Sequence, residues 1–500
     1  MSRPVPEGYL GAEGHITSGP APELVEAGYR LELADAPALH HGLGMADLAH
    51  AVTLTEAGLV PAAAAARLIA VLLELLDSPA EDFPYEVTYG DAVNSREREL
   101  ERRLGRTAGW LPLGRTRREA GRIAFRLALR AGLLDLHDAV AGFAAALAAC
   151  ADEHAATLWS DTTYLQPAQP STFGHYLGGF AEEAVRHLER IGLAYRWADR
   201  SPAGAGGVGG TRVPLDWRRL AELLGFEALG AHSRDAMWAV DGLTDAVTGA
   251  AQTAVTADRL AEDLEIFSSP QFGYLRLHPS LCRASALMPQ KRNPYALAVI
   301  RGGAGTLIGR AAGILATQRT PSARTDNWLY AYGEVLGAVG LARRLVALAG
   351  QVVRTLEVDR GALAAGAGQG FTTATDLAEQ LVLDHRLDYR SAYRLVARAT
   401  ALAAQAGRTA LAATDLDDAA AQLLGERLAV SPDLLASMDP AAVVATRTVA
   451  GGAAPQRVRE HAASVRSRTA TAGAWARAHR TGAAEAEARL VTTARRLAGR

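Results

Sequence analysis

Residues 132–148 read GLLDLHDAVAGFAAALA. Leu133, Leu136, Val140, Phe143 and Leu147 recur at spacings of 3, 4, 3 and 4, the period of one face of an α-helix. Asp135, His137 and Asp138 fall off that stripe, as the polar side of an amphipathic helix requires. Similar patterns run through residues 43–75, 172–198, 240–268, 295–318 and 331–357, and no convincing strand-like alternation interrupts them. Small residues are frequent in these segments, which allows helices to approach closely. Long helices in series predict an all-α fold organised as a bundle.

The breaks between these segments outline the organisation. SPAGAGGVGGTRVP (201–214) is rich in glycine but lacks the Gly-Lys-Ser/Thr ending of a phosphate loop, so it reads as a connection. FSSPQFGYLRLHPSLCRASALMPQKRNP (267–294) is a long non-periodic segment between two helices, and loops of that length inside compact domains are usually functional. GAGQGFTTATDLAEQLV (366–382) reads as a break followed by a capped helix. Boundaries near residues 113 and 365 divide the chain into an N-terminal helical domain (1–113), a central bundle (114–365) containing the loop 280–294, and a C-terminal helical domain (366–500).

Composition narrows the function. Hydrophobic content of 49% with a net charge of −2 describes a globular protein without the basic excess of a nucleic-acid binder. Two cysteines, Cys150 and Cys282, allow neither a disulfide framework nor a paired-cysteine metal site, and they suit a reduced, cytoplasmic setting. The first twenty residues have no apolar core resembling a signal peptide, and no run of 18 or more apolar residues predicts a membrane span.

One residue stands against the composition. Lys+Arg totals 52, yet Lys291 in SALMPQKRNP (285–294) is the sole lysine. A genome biased toward arginine codons explains the general pattern and leaves the exception to be explained. Lysine is a compact point charge, whereas arginine is a planar fork, so a site matched to one ammonium does not accept the exchange. Asn293 adds a donor and Ser285 a hydroxyl to the same loop.

ASALMPQKRNP resembles the signature G-S-S-x-M-P-x-K-x-N-P of the aspartase/fumarase superfamily, most closely that of argininosuccinate lyase. The likeness covers most of the chain. GWLPLGRTRREA (109–120) resembles the H-T-G-R-S-R-N-D-Q segment, TTYLQPAQPSTFGHYL (162–177) resembles T-H-L-Q-x-A-Q-P-x-T-F-G-H-Y-L, and GFTTATDLAEQLV (370–382) and GGAAPQRVRE (451–460) resemble C-terminal segments. The resemblance implies three mostly helical domains and a homotetramer, with each active site shared between three subunits. It implies β-elimination of a small dicarboxylate with release of fumarate, without metal or organic cofactor. Ser285 would be the base that takes a proton next to a carboxylate. Lys291 and Asn293 would hold the charge that develops there, with Met288 and Gln290 of the same loop among the substrate contacts. Thr163 would bind a substrate carboxylate, as would Arg117. YGDAVNSRERE (89–99) matches an anion-binding region and adds Asp91, Asn94 and Ser95.

Departures from argininosuccinate lyase cluster on the leaving-group side. The histidine before L-Q is Tyr164 here, and the glutamate paired with it corresponds to Ala298. Tyr164 or water is then left to supply any proton. Arg118 replaces a substrate-binding asparagine, and in TPSARTDNWLY (320–330) Arg324 and Leu329 stand at the tyrosine and glutamine positions. In DAMWAVD (235–241) the family arginine is Val240. His175 reads as structural, His40 and His41 as equally compatible with surface exposure, and Trp238 and Trp328 as packing residues. Gained positive charge and lost ureido recognition point to a C–N lyase acting on an N-substituted succinate or aspartate with additional anionic or oxygen-rich groups, such as an aminopolycarboxylate. Nitrosuccinate, whose nitrite leaves as a stable anion, is an alternative, as are argininosuccinate itself and a catalytically silent relative of the crystallin kind.

Overall fold

The stripe at 132–148 lies within a single 37-residue helix. The structure, a computed structural model, describes residues 4–5, 14–319, 323–324, 328–428 and 430–499. In chain order its main helices are α1 (Ala36–Glu56), α2 (Ala62–Leu76), α3 (Ala92–Leu104), α4 (Arg117–Glu153), α5 (Phe173–Ala198), α6 (Asp241–Phe267), α7 (Tyr295–Thr317) and α8 (Ala331–Arg354). After these come α9 (Ala374–His385), α10 (Tyr389–Gln405), α11 (Ala413–Leu424) and α12 (Pro455–Leu497). The mostly helical architecture agrees with the sequence pattern.

The largest core is formed mainly by α4, α5, α6, α7 and α8, with Leu133, Leu136, Val140, Phe143 and Leu147 inside it. Each of these five side chains is at most 2% exposed. Full burial of such a side chain contributes about 1.5–3 kcal/mol, so the stripe holds α4 at the centre. A smaller apolar cluster joins α9, α10 and α11. Where α5 starts against the end of α4, Gly174 lies against backbone, and a Cβ there would stand 2.3 Å from the carbonyl oxygen of Ala151.

Strands are a departure from the sequence expectation. Leu158–Thr163 (β1) and Gln166–Thr172 (β2) form an antiparallel hairpin with a register shift between Asp161 and Thr162. Arg283–Ala284 (β3) and Arg292–Asn293 (β4) form a second, shorter one inside the long loop. Two further two-residue pairs join 200–201 to 228–229 and 275–276 to 357–358.

Helices α4 and α8 are long and apolar enough to cross a membrane by length and composition. Their apolar windows are, however, 61% and 50% buried inside this protein, so core packing accounts for their character. Helix α4 also carries a ladder of arginines. Arg118, Arg122, Arg126 and Arg130 stand four residues apart on one face. The last three are buried, and a buried charge is costly unless it is compensated. Arg130 has a carboxylate partner, Asp199, at 3.2 Å. Arg122 donates to Met237 O at 2.9 Å, and Arg126 donates to Trp197 O at 2.6 Å and Ala236 O at 3.4 Å. Met237 and Ala236 lie in the last turn of the short helix Ser233–Trp238, and Trp197 lies in the last turn of α5. Negative helix ends thus stand in for counter-ions.

Candidate active site

The loop singled out by its lysine folds into the β3–β4 hairpin, whose two-residue strands pair Arg283 with Asn293 and Ala284 with Arg292. Asn293 Nδ2 donates to Arg283 O at 3.0 Å and ties the base of the hairpin. The Oγ of Ser285 accepts the backbone N–H groups of Leu287 at 3.3 Å and Met288 at 3.1 Å. Two amide donors on one hydroxyl oxygen favour its ionised form. Lys291 N–H donates to Met288 O at 3.1 Å and closes the turn. The Lys291 side chain is exposed, as are Met288 and Gln290, and its ammonium has no ion-pair partner among the described residues.

A second group sits where the N-terminus of α4 meets α3 and the short helix Arg30–Ala34. Thr116 caps α4 by accepting the N–H of Glu119 at 3.2 Å, and this presents the next two residues. Arg117 donates to Asp91 Oδ2 at 2.8 Å, and Arg118 to Glu32 Oε2 at 2.8 Å. Both arginines, both acids, Asp35, Leu329 and Tyr332 line one pocket. Asp91 also caps α3 by accepting the N–H of Asn94 at 2.9 Å. Asn94 Nδ2 donates to Tyr89 O at 2.7 Å, and among the described residues the buried Ser95 bonds only to the backbone of Glu86 and Asp91. Asn94 and Ser95 therefore anchor α3, and Ser95 does not offer its hydroxyl to the pocket. Arg324 is exposed; the adjoining positions 320–322 and 325–327 of the segment read with it lie outside the described residues.

Behind this pocket stands Arg122. It donates to the hydroxyl of Tyr332, and its guanidinium lies 3.8 Å from the ring centre of Trp328 and 5.2 Å from that of Trp238. The two tryptophans read as packing residues thus pack on a cation. Sequence reasoning missed Arg122, Glu32, Asp35 and Tyr332. The regular spacing of Arg118, Arg122, Arg126 and Arg130 was the available signal. His40 is buried, bonded to Tyr85 Oη at 2.7 Å, so exposure is not its explanation. His41 remains exposed and pairs with Glu487 at 3.3 Å. His175 bonds to Gly451 O at 3.0 Å, joining α5 to the C-terminal part of the chain.

Burial raises Asp35 to about 6, and the N–H of Gly333 offsets part of that rise. A carboxyl group whose pKa is higher folded than unfolded stabilises the fold in its protonated form. That contribution is full below pH 4 and is lost as pH rises through about 6. Asp35→Asn should therefore raise the melting temperature at pH 7.5, by the equivalent of about 1 kcal/mol after allowance for partial exposure, and leave it unchanged near pH 4. Equal melting curves at both pH values would show that Asp35 is not strained.

The third group is the tip of the β1–β2 hairpin. Thr163 and Gln166 pair across a two-residue turn, Tyr164-Leu165, and both turn residues have positive φ, 55° and 59°. Such turns favour asparagine and glycine, so this tip carries strain. Tyr164 is 98% exposed. Among the described residues no hydrogen bond or ion pair joins this tip, the β3–β4 hairpin and the Arg117–Arg118 pocket within one subunit.

Comparison with known proteins identifies the family. The lyase family profile matches residues 30–309, and the profile for the argininosuccinate lyase C-terminal region matches 371–445. Argininosuccinate lyase 1 of Mesorhizobium japonicum is 32% identical over 83% of this chain and 88% of its own. This is a carbon–nitrogen lyase of the aspartase/fumarase superfamily. The argininosuccinate lyase of Methanoculleus marisnigri is likewise 32% identical, over 83% of this chain and 84% of its own. Among solved structures, an EDDS lyase variant with bound fumarate superposes with a TM-score of 0.86 at 26% identity, covering 99% of each chain. The 3-carboxy-cis,cis-muconate lactonizing enzyme of Pseudomonas putida shares the fold at a TM-score of 0.66 and 21% identity. Family and fold are those expected from the signature loop.

Proposed function

We propose that this lyase releases fumarate from an N-substituted aspartate whose leaving amine carries one or more carboxylates. The observation that carries the reading is the pairing of an intact β3–β4 hairpin with a pocket in which Arg118 stands beside Arg117. Ser285, ionised with its own proton given up to solvent and its oxygen held by two loop amides, takes a proton from the carbon next to the distal carboxylate of the aspartate portion. The electrons move into that carboxylate, where Lys291 and Asn293 hold the developing charge. They then return to form the double bond as the C–N bond breaks and its pair stays on nitrogen. An alkylammonium substrate leaves as a neutral amine and needs no added proton, so replacement of the family histidine by Tyr164 is compatible with turnover. Thr163 and Tyr164 close over the substrate, and Met288 and Gln290 line it from the loop. Arg118, released from Glu32, takes a carboxylate of the amine portion as a fork, with Arg324 as a further anion contact. The likeness to EDDS lyase at full chain coverage supports an aminopolycarboxylate.

The site is completed by neighbouring copies in a homotetramer. Helix α7 supports this, because Ile308 and Leu315, seven residues apart on one face, lie 54% and 57% exposed on it, apolar surface that an isolated subunit leaves wet. A second reading, argininosuccinate lyase proper, is favoured by the curated relatives. Fumarate release from a panel of argininosuccinate, nitrosuccinate, adenylosuccinate and N-carboxyalkyl aspartates decides between them. The N-carboxyalkyl aspartates should be preferred. Turnover of argininosuccinate at ordinary enzyme rates, about 1–10³ per second, would overturn the substrate assignment.

A further inference from the structure

The pocket at the head of α4 already holds a charge where a substrate carboxylate is to bind. Arg118 pairs with Glu32 at 2.8 Å, and the two side chains are only 19% and 13% exposed. Taking one partner from a pair so far out of water leaves the other as an uncompensated charge, which is strongly unfavourable. A substrate that brought carboxylates alone would take Arg118 and strand Glu32. The exchange balances only if the same molecule also brings a cation.

The rest of the pocket points the same way. Its lining sets Arg117 and Arg118 against Asp91, Glu32 and Asp35. Arg117 is committed to Asp91 at 2.8 Å. Arg122, behind them, gives its Nε to Met237 O and its Nη1 to the Tyr332 hydroxyl, and Arg310 stands 3.7 Å from Glu334. Asp35 is left with the N–H of Gly333 and, among the described residues, no cation. Glu32 and Glu334 add their negative charge to the burial that disfavours its ionised form. Asp35 follows Glu32 by three residues, and both line the pocket. Ionised carboxylates only accept hydrogen bonds, whereas a secondary ammonium offers two N–H donors, one for each acid.

We infer that Glu32 and Asp35 are specificity-determining residues: besides the carboxylate for Arg118, the amine portion of the substrate carries a second ammonium, which takes the place of Arg118 on Glu32 and bonds to Asp35. This rests on the elimination proposed above. Two compounds test it by fumarate release from the full chain. One is aspartate joined through a three-carbon chain to the nitrogen of glycine; in the other a methylene replaces that second nitrogen. The diamine should exceed its carbon isostere about tenfold in kcat/KM, the worth of one hydrogen bond between charged groups. Asp35→Asn folds, since it removes a carboxyl whose ionised form burial disfavours, and it should cut the preference to roughly threefold or less by raising KM for the diamine. Glu32→Gln, whose neutral amide holds both Arg118 and an ammonium less tightly, should raise KM for the diamine and lower it for the isostere. Equal kcat/KM for the two compounds in the parent, or a preference that survives both substitutions, would overturn this inference and leave the proposed elimination standing. Fumarate from neither compound would overturn both.

Discussion

Ser285→Ala should lower fumarate release by at least about 10³-fold, within the range a positioned proton-transfer group supplies, without disturbing the fold. The substitution removes an oxygen that accepts two loop amides, from Leu287 and Met288. Both residues are exposed, so water can take those hydrogen bonds and the thermal transition should stay where it is. The rate has no such substitute. A methyl group cannot receive the proton, and no histidine or carboxylate bonds to Ser285 among the described residues to act in its place. Single-turnover absorbance of fumarate measures the chemical step directly. A variant with more than a tenth of the parent rate would remove Ser285 from the role of base, while leaving the family assignment untouched.

Lys291→Arg should cost about 10²–10³-fold in kcat/KM, comparable with the loss of one preorganised donor to a developing anion, although the formal charge is unchanged. The short hairpin fixes the distance from β4 to the substrate, and the guanidinium is both broader and more weakly hydrated than an ammonium. The fork would have to pair side-on with a carboxylate placed for a single point contact. Fumarate binding, followed as product inhibition, should weaken less than the rate, because charge on the carboxylate peaks during elimination. A near-parental rate would make the solitary lysine an accident of composition.

The sequence made the helices plain because their apolar period is strong, as on α4, and made the signature loop plain because its composition broke the rule of the chain. The β1–β2 hairpin was hidden for physical reasons. Pro167 and Pro170 sit inside β2 and argue against a strand, and the turn residues are tyrosine and leucine rather than asparagine and glycine. The pocket around Arg118 was half visible. Its arginines could be named, but their partners Glu32 and Asp91 come from elsewhere in the chain, and spacing alone does not bring them together. Arg122 was hidden because arginine usually marks a solvated face. Here three aromatic rings and the carbonyl end of a distant helix make the interior tolerable for it.

The exposure of Lys291 gives the protein an unusual chemical handle. With arginine at the other 51 basic positions, amine-selective acylation or reductive methylation of the folded chain has one side-chain target, and it lies on the turn of the β3–β4 hairpin. A dye or a spin label attached there reports on the movement of that hairpin without any engineered cysteine. Protection of the same amine by a bound dicarboxylate reads out occupancy by mass alone.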